Sequence, residues 1–289
     1  MNWEAYDGLI DAALEEDAAR RDVTTSALVP SGRRGEAEVR ARAAGVVCGL
    51  PLARRLAARF DEQLRFEERV RDGDQVAPGA VVAVLGGPAA AILSVERTML
   101  NFLQRLSGIA TLTRQFVQEV EGTGAAIYDT RKTTPGWRTL EKYAVRCGGG
   151  RNHRMDLAAQ ALIKDNHLAL LTGAAPGLSV VQAAIEKVRA ANPGLIIEVE
   201  VETLADLEAA LGAAPDIIML DNMTPGQVRE AAALVRKKAG DGGRPLLESS
   251  GTVTLATVRD YAEAGADMIS VGALTHSARA FDLSLDMKS

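Results

Sequence analysis

The charged residues of this chain are unevenly placed. Residues 129–167, DTRKTTPGWRTLEKYAVRCGGGRNHRMDLAAQALIKDNH, hold eight basic side chains (Arg131, Lys132, Arg138, Lys142, Arg146, Arg151, Arg154 and Lys164) against four acids (Asp129, Glu141, Asp156 and Asp165), in a chain whose formal net charge is -5. A basic segment inside an acidic protein attracts a small anion rather than a polyanion, because the surrounding field repels extended nucleic acid. Arg131 and Arg154 suit a bidentate grip on carboxylates, while Lys132 and Lys164 are point charges for phosphate oxygens or a second carboxylate. A site that takes carboxylates and phosphates together is therefore expected. His153 and His167 lie in the same segment. No histidine spacing matches zinc, so His153 is read as a hydrogen-bond donor to substrate, and His167 and His276 stay open between catalytic and supporting roles.

These residues need elements to hold them. From residue 125 onward, short β-rich runs alternate with helical stretches: AAIYD (125–129), YAVRC (143–147), ALIKD (161–165), LIIEVEV (195–201), DIIMLD (216–221), PLLES (245–249) and DMISVG (267–272), with helices between them over 180–190, 204–211, 225–239 and 255–264. Repeated βα units imply a parallel sheet, and seven strands favour closure into a barrel. In such a barrel the chemistry gathers at the carboxyl ends of the strands. Asp129, Arg131, Lys132, Lys164, Asp165 and Asp221 all fall at such ends. Glu198 and Glu200 share one face of their strand by the two-residue period, and acids near a buried interior need a cation. Glu200 and Asp221 form a hard oxygen environment suited to Mg²⁺ or to sugar hydroxyls. ESSG (248–251) and SVGALTH (270–276) each feed a helix with small and hydroxyl residues, the pattern of a phosphate site. Gly148 to Gly150 either opens the backbone ahead of Arg151, His153 and Arg154 or is a plain turn.

The first part of the chain is a separate α/β unit. It reads as a helix over 9–16, a charged loop RRDVTT over 20–25, a strand within 36–47, a short helix over 52–60 and two strands about the DGD and PG turns of 66–85. A lipoyl-type carrier domain also has this hairpin, but a carrier needs a lysine on it, and the first lysine here is Lys132. Over 95–106, Val95, Met99, Phe102 and Leu106 form one apolar helical stripe, which turns Arg97, Asn101 and Gln104 to the opposite face.

With 289 residues, 47% hydrophobic and 25% charged, the chain can bury one large core or two unequal ones. No apolar run approaches the roughly 20 residues that span a bilayer, and the acidic opening MNWEAYDGLIDAALEED lacks the basic-then-apolar order of a signal peptide, so a cytoplasmic protein is expected. Cys48 and Cys147 are too few for a disulfide framework. Cys48 reads as core, and Cys147 as either buried filler or a residue near the site.

One ordered series of motifs carries a resemblance. DVTT (22–25), ERTMLNFLQRLSGIAT (96–111), DTRKTTPG (129–136), EKYAVRCGGGRNHR (141–154), LIKDNH (162–167), EVEV (198–201), LDN (220–222), ESSG (248–251) and VGALTH (271–276) run through almost the whole chain, which resembles the quinolinate phosphoribosyltransferase family. Thr252 departs from the pattern, where Gly or Asn is expected. The resemblance implies an N-terminal α/β sandwich domain over 1–112, to which the tail 277–289 returns, and an open seven-stranded α/β barrel over 113–276. It implies conversion of quinolinate and phosphoribosyl pyrophosphate, with Mg²⁺ and no organic cofactor, to nicotinate mononucleotide, pyrophosphate and CO2. By motif, Arg97, Arg131, His153, Arg154 and Lys164 would hold the quinolinate carboxylates, with Thr130 beside them. Lys132, Glu200 and Asp221 would be catalytic and serve ribose, pyrophosphate and metal, and Ser250, Gly251 and Gly272 would take the 5-phosphate. A homodimer or higher homo-oligomer, with Arg97 donated to the partner's site, is implied as well. Two other readings stand beside it: a related phosphoribosyltransferase acting on another acid or base, and a non-catalytic barrel that senses phosphorylated metabolites. Glu200 and Asp221 speak against the sensor, since anion binding alone gains nothing from them. Neither a nucleic-acid partner nor a membrane is expected.

Overall fold

The computed structural model describes residues 1–171, 179–238 and 243–288. Its strands are β1 Arg34–Ala41, β2 Gly45–Val46, β3 Arg65–Glu68, β4 Gln75–Val76, β5 Val81–Pro88, β6 Ala126–Tyr128, β7 Ala161–Ile163, β8 Ile197–Val201, β9 Ile217–Asp221, β10 Leu246–Ser250, β11 Met268–Ser270 and β12 Leu283–Met287. Its α-helices are α1 Asp7–Glu16, α2 Val23–Leu28, α3 Leu50–Phe60, α4 Ala89–Glu119, α5 Arg138–Cys147, α6 Asp165–Leu170, α7 Val180–Ala191, α8 Leu204–Leu211, α9 Pro225–Lys238, α10 Val258–Ala264 and α11 Ala273–His276. They divide into two compact units: Met1–Arg114 with Tyr143–Gly149 and Ser277–Ser289, and Gln115–Lys142 with Gly150–His276.

The first unit is built on an antiparallel sheet of order β12-β1-β5-β3. Period two explains it: Ala37, Val39 and Ala41 of β1 are buried while their neighbours are not. The stretch 20–25, read as a loop, instead enters a helix, because Asp22 accepts hydrogen bonds from the Thr24 and Thr25 amides at 3.1 and 3.0 Å and so caps α2. Asp72 of the DGD turn does the same for α3, accepting the Gly49 and Leu50 amides at 3.0 Å. On α4 the stripe Val95, Met99, Phe102 and Leu106 is buried as the spacing requires. Arg97 and Asn101 are exposed, but Gln104 is not a free surface residue, since its Nε2 donates to the Leu283 carbonyl at 2.8 Å and ties β12 to the helix.

YAVRC (143–147) is not a strand. It is the second half of α5 and belongs to the first unit. Gly148 follows α5 because a Cβ there would sit 2.5 Å from the Ala110 carbonyl oxygen and from Thr113 Cβ, and Gly149 turns the chain with φ 93°. The glycines therefore serve close packing and helix termination. Cys48 is fully buried, and Cys147, half-buried, brings its sulfur within 4.8 Å of that of Cys48 and of an Asp72 carboxylate oxygen.

The second unit holds a parallel sheet of six strands, in the order β6-β11-β10-β9-β8-β7. The seven strands expected from sequence are six among the described residues, because 143–147 is helical; beyond β6 the sheet gains only an isolated parallel bridge, Tyr128 to Arg151. β8 and β9 are buried almost continuously, as strands covered on both faces must be. Side-chain caps start the crossover helices: Ser179 and Gln182 form a reciprocal box at α7, and Thr203 accepts from the Asp206 amide at α8. α9 covers the expected helix as far as Lys238, and Ala239 lies outside the described residues. Among the described residues no helix is long and apolar enough to cross a membrane.

Candidate active site

Because all six strands run the same way, one edge of the sheet collects every residue that follows a strand. Thr130, Arg131 and Lys132 follow β6, Lys164 follows β7, Glu200 lies near the end of β8, Asp221 ends β9, Ser250 ends β10 and Gly272 follows β11. All of them but Gly272 line a cavity of about 560 Å³, together with His153, Arg154 and Gly251. A cavity of about 670 Å³ also exists at the starts of β9 and β10, beside Glu208, Asp216, Lys238 and Arg244. That opposite face of a βα sheet is usually given over to stability, and its two described cations are paired, Lys238 with Glu208 and Arg244 with Asp267.

Four of the eight cations of residues 129–167 reach the larger-charge cavity. Arg131 Nε is buried with no hydrogen-bond partner among the described residues. Burial, followed by the nearby charge of Arg131, pulls Arg154 below the usual guanidinium range, so the two arginines repel each other until a negative group lies between them. Lys164 Nζ donates to Glu200 Oε2 at 2.9 Å, which supplies the cation a half-buried acid needs. Burial is the first cause of a raised Asp221 pKa, opposed by Lys164 and Lys132 and aided by Glu202. Glu200 and Asp221 keep the hard oxygen character that a magnesium ion requires.

The other cations have structural duties. Lys142 is fully buried; its ammonium donates to Asp129 and to the His153 carbonyl oxygen, at 2.8 Å for the latter. Arg138 holds the Met155 carbonyl oxygen at 3.1 Å, Arg146 lies over the Tyr143 ring, and Arg151 bridges to β6 through its backbone. His167 is a cap residue, its Nδ1 accepting the Lys164 amide at 2.9 Å at the start of α6.

His153 departs from its expected part, since both ring nitrogens face protein. Nε2 lies 3.0 Å from Glu198 Oε2 and 3.3 Å from Glu248 Oε2, both glutamates being fully buried. Burial works against an imidazolium here, but the two carboxylates outweigh it and push the ring up to about 10. Geometry assigns the protons more closely: Nδ1 accepts the Arg154 amide N–H at 2.9 Å and so carries no hydrogen. The ring therefore carries its proton on Nε2, toward the two carboxylates, and burial is the first cause that raises Glu198, to about 7.

The phosphate-type loop has its own reason for glycine. Gly251 has φ 125°, and a Cβ there would lie 2.4 Å from Asn222 Oδ1. Asn222, at φ 54°, donates from Nδ2 to Asp221 at 2.7 Å, and its backbone amide donates to the Ser250 carbonyl oxygen at 3.0 Å, which ties the two loops together. Thr252 lines the same cavity. Gly272 lies beside Lys132, whose Cδ would be 3.2 Å from an added Cβ. Arg97 is exposed on α4 of the first unit. Asn222, Ser270 and Glu248 also line the cavity; the sequence held them inside the strand-end motifs LDN, SVGALTH and ESSG without assigning them individual contacts.

Comparison with known proteins settles the relationship. The family model "Quinolinate phosphoribosyl transferase, N-terminal domain" matches residues 22–107, and the C-terminal domain model matches residues 109–286. The chain belongs to the quinolinate phosphoribosyltransferase family. Among relatives of this family, the nicotinate-nucleotide pyrophosphorylase [carboxylating] of Mycobacterium leprae is 42% identical across 99% of this chain and 98% of its own length. The probable nicotinate-nucleotide pyrophosphorylase [carboxylating] of Bacillus subtilis is 40% identical across 99% and 95%. Among solved structures, NadC from Streptococcus pyogenes superposes with a TM-score of 0.89 at 38% identity, covering 100% of this chain and 97% of that one. The parallel-sheet unit and the separate antiparallel-sheet unit are thus features of the family's architecture.

Proposed function

We propose that this chain transfers the phosphoribosyl group of phosphoribosyl pyrophosphate to quinolinate with decarboxylation, releasing nicotinate mononucleotide, pyrophosphate and CO2 in NAD biosynthesis. The observation that carries the reading is the split character of one cavity, with Arg131, Arg154 and Lys132 together with the carboxylates of Glu200 and Asp221 in its lining. A pyridine dicarboxylate matches the paired arginines, with Thr130 and the ring edge of His153 beside it, and Lys164 shares its charge between substrate and Glu200. Ser250, Gly251 and Gly272 are the proposed contacts of the 5-phosphate.

As pyrophosphate leaves, positive charge develops on the ribose, where Glu200 and Asp221 stabilise it, and Lys132 neutralises the departing oxygens. Glu200 and Asp221 would also hold Mg²⁺, partly through substrate, and the ion would supply further neutralisation of the leaving group. Once the ring nitrogen is ribosylated, its positive charge stabilises the electron pair left on the adjacent carbon as CO2 departs, a proton from solvent then takes the place of CO2, and the arginines need only orient the carboxylate. No organic cofactor is required. The proposal includes a homodimer in the cytoplasm, with Arg97 of one protomer completing the partner's site.

Release of CO2 from carboxyl-labelled quinolinate, with and without phosphoribosyl pyrophosphate, tests the reading. Release that depends on phosphoribosyl pyrophosphate is expected. No release, or faster turnover of nicotinate than of quinolinate, would favour the related phosphoribosyltransferase instead.

A further inference from the structure

We propose that Glu198, Glu248 and Gln160 are positioning residues for Arg154, the two glutamates acting through His153 and Gln160 through its own carbonyl oxygen; the inference rests on the reading that Arg154 meets a carboxylate of quinolinate. Glu198 of β8 and Glu248 of β10 both stand at 0% exposure. Glu198 Oε1, both oxygens of Glu248 and His153 Nε2 have no partner in hydrogen-bond geometry among the described residues, so the glutamates meet the ring as close charges. Buried carboxylates in that condition are costly, and replacing them with aliphatic residues would suit the sheet better. What they share is His153 Nε2, at 3.0 and 3.3 Å.

From there the contacts close into a ring. His153 Nδ1 accepts the Arg154 amide at 2.9 Å. Arg154 Nη1 donates to the Gln160 carbonyl oxygen at 2.9 Å, and Gln160 Nε2 returns to Glu198 Oε2 at 2.6 Å. Arg154 is thus held at its backbone by one path and at its guanidinium by the other, and both paths end on Glu198. The restraint is needed because Arg131 repels Arg154, and an unrestrained guanidinium would swing away from the cavity. With Nη1 committed to Gln160, the remaining N–H groups are left for a planar carboxylate, whose bidentate recognition tolerates only a small misplacement.

The test is a double-mutant cycle on quinolinate affinity, measured by calorimetry, with the KM for phosphoribosyl pyrophosphate as the control. Glu248→Leu should weaken quinolinate about tenfold and leave the control within about twofold, while Glu248→Gln, which still offers an oxygen to Nε2, should recover most of the loss. In an Arg154→Ala background the same Glu248→Leu change should alter quinolinate affinity by less than about twofold, because the residue being positioned is gone. Should Glu248→Leu fail to fold, Gln160→Ala carries the cycle with an expected loss of about threefold that likewise vanishes without Arg154. Losses that multiply in the double variants, or a parallel loss for phosphoribosyl pyrophosphate, would overturn the positioning role. Absence of quinolinate binding by the unsubstituted protein would instead overturn the functional reading, and this role with it.

Discussion

Replacing Lys142 with methionine tests how the loop that carries His153 and Arg154 is held. Lys142 and Asp129 are both fully buried and paired, and Asp129 also accepts the His153 amide at 2.9 Å and the Asn152 amide group. Burial is the first cause acting on both, raising Asp129 and lowering Lys142, and each group's charge is the main compensation for the other. Methionine fills similar volume but leaves the carboxylate alone. Asp129 can stay charged and unpaired, at about 3–5 kcal/mol, or it can take a proton. The second route sets the ceiling: with about 1.36 kcal/mol per pH unit and an unfolded aspartate near 3.9, protonation costs about 4 kcal/mol at pH 7 and about 1.5 kcal/mol at pH 5. The sign follows from a folded pKa raised above the unfolded one, whose stability contribution is complete below the unfolded value and is lost as pH rises. Urea unfolding of Lys142→Met should therefore show a loss of about 4 kcal/mol at pH 7 that shrinks to about 1.5 kcal/mol at pH 5. Adding Asp129→Asn should restore most of the pH 7 loss and abolish the pH dependence. A loss under about 1 kcal/mol at pH 7, or one equal at both pH values, would refute the buried-pair reasoning.

Lys132→Ala and Glu200→Ala should each lower turnover at least about a hundredfold with unchanged circular dichroism, since both are polar groups at a cavity and neither belongs to a core. Mixing inactive Arg97→Ala with inactive Lys132→Ala should restore activity, because a mixed dimer has one site with both residues intact; mixed dimers seen by native mass spectrometry without activity would end the shared-site proposal. Gly251→Ala should raise the KM for phosphoribosyl pyrophosphate and destabilise by about 1–3 kcal/mol, as the methyl meets Asn222 on a backbone that disfavours side chains; unchanged thermal unfolding would argue otherwise. Asp22 is held below its usual range by the Thr25 hydroxyl and amide, then opposed by burial, then aided by Ser94 and the Thr24 amide. Its cap is therefore fully effective above the unfolded carboxyl value and lost as pH falls through the folded one. Asp22→Ala should lower the unfolding midpoint at pH 7 and match the parent in strong acid.

Much of this molecule was legible in local sequence. Alternation of β-rich runs with helical ones announced a parallel sheet, and parallel strands must deliver their following residues to one edge, so Lys132, Lys164 and Asp221 could be named as neighbours before any contact was known. The apolar stripe of α4 followed from a 3.6-residue period sustained over three turns. YAVRC misled because five residues are too few to separate that period from a period of two; Leu140 and Ala144, buried one turn apart on α5, show which one operates. Gln104 misled because a helix face opposite the core is not thereby exposed, and only the return of β12 covers it. Tertiary structure alone decided the fate of the charges. Whether a lysine serves substrate, as Lys132 is proposed to, or a buried aspartate, as Lys142 does, depends on what lies across space. Asp129, Lys142 and His153, and then Glu198 and Glu248, come from separate elements and meet only when the strand order β11-β10-β9-β8 is set. Local pattern records which face a side chain takes, whereas the partner on that face is chosen by long-range strand pairing, which no short window of sequence contains.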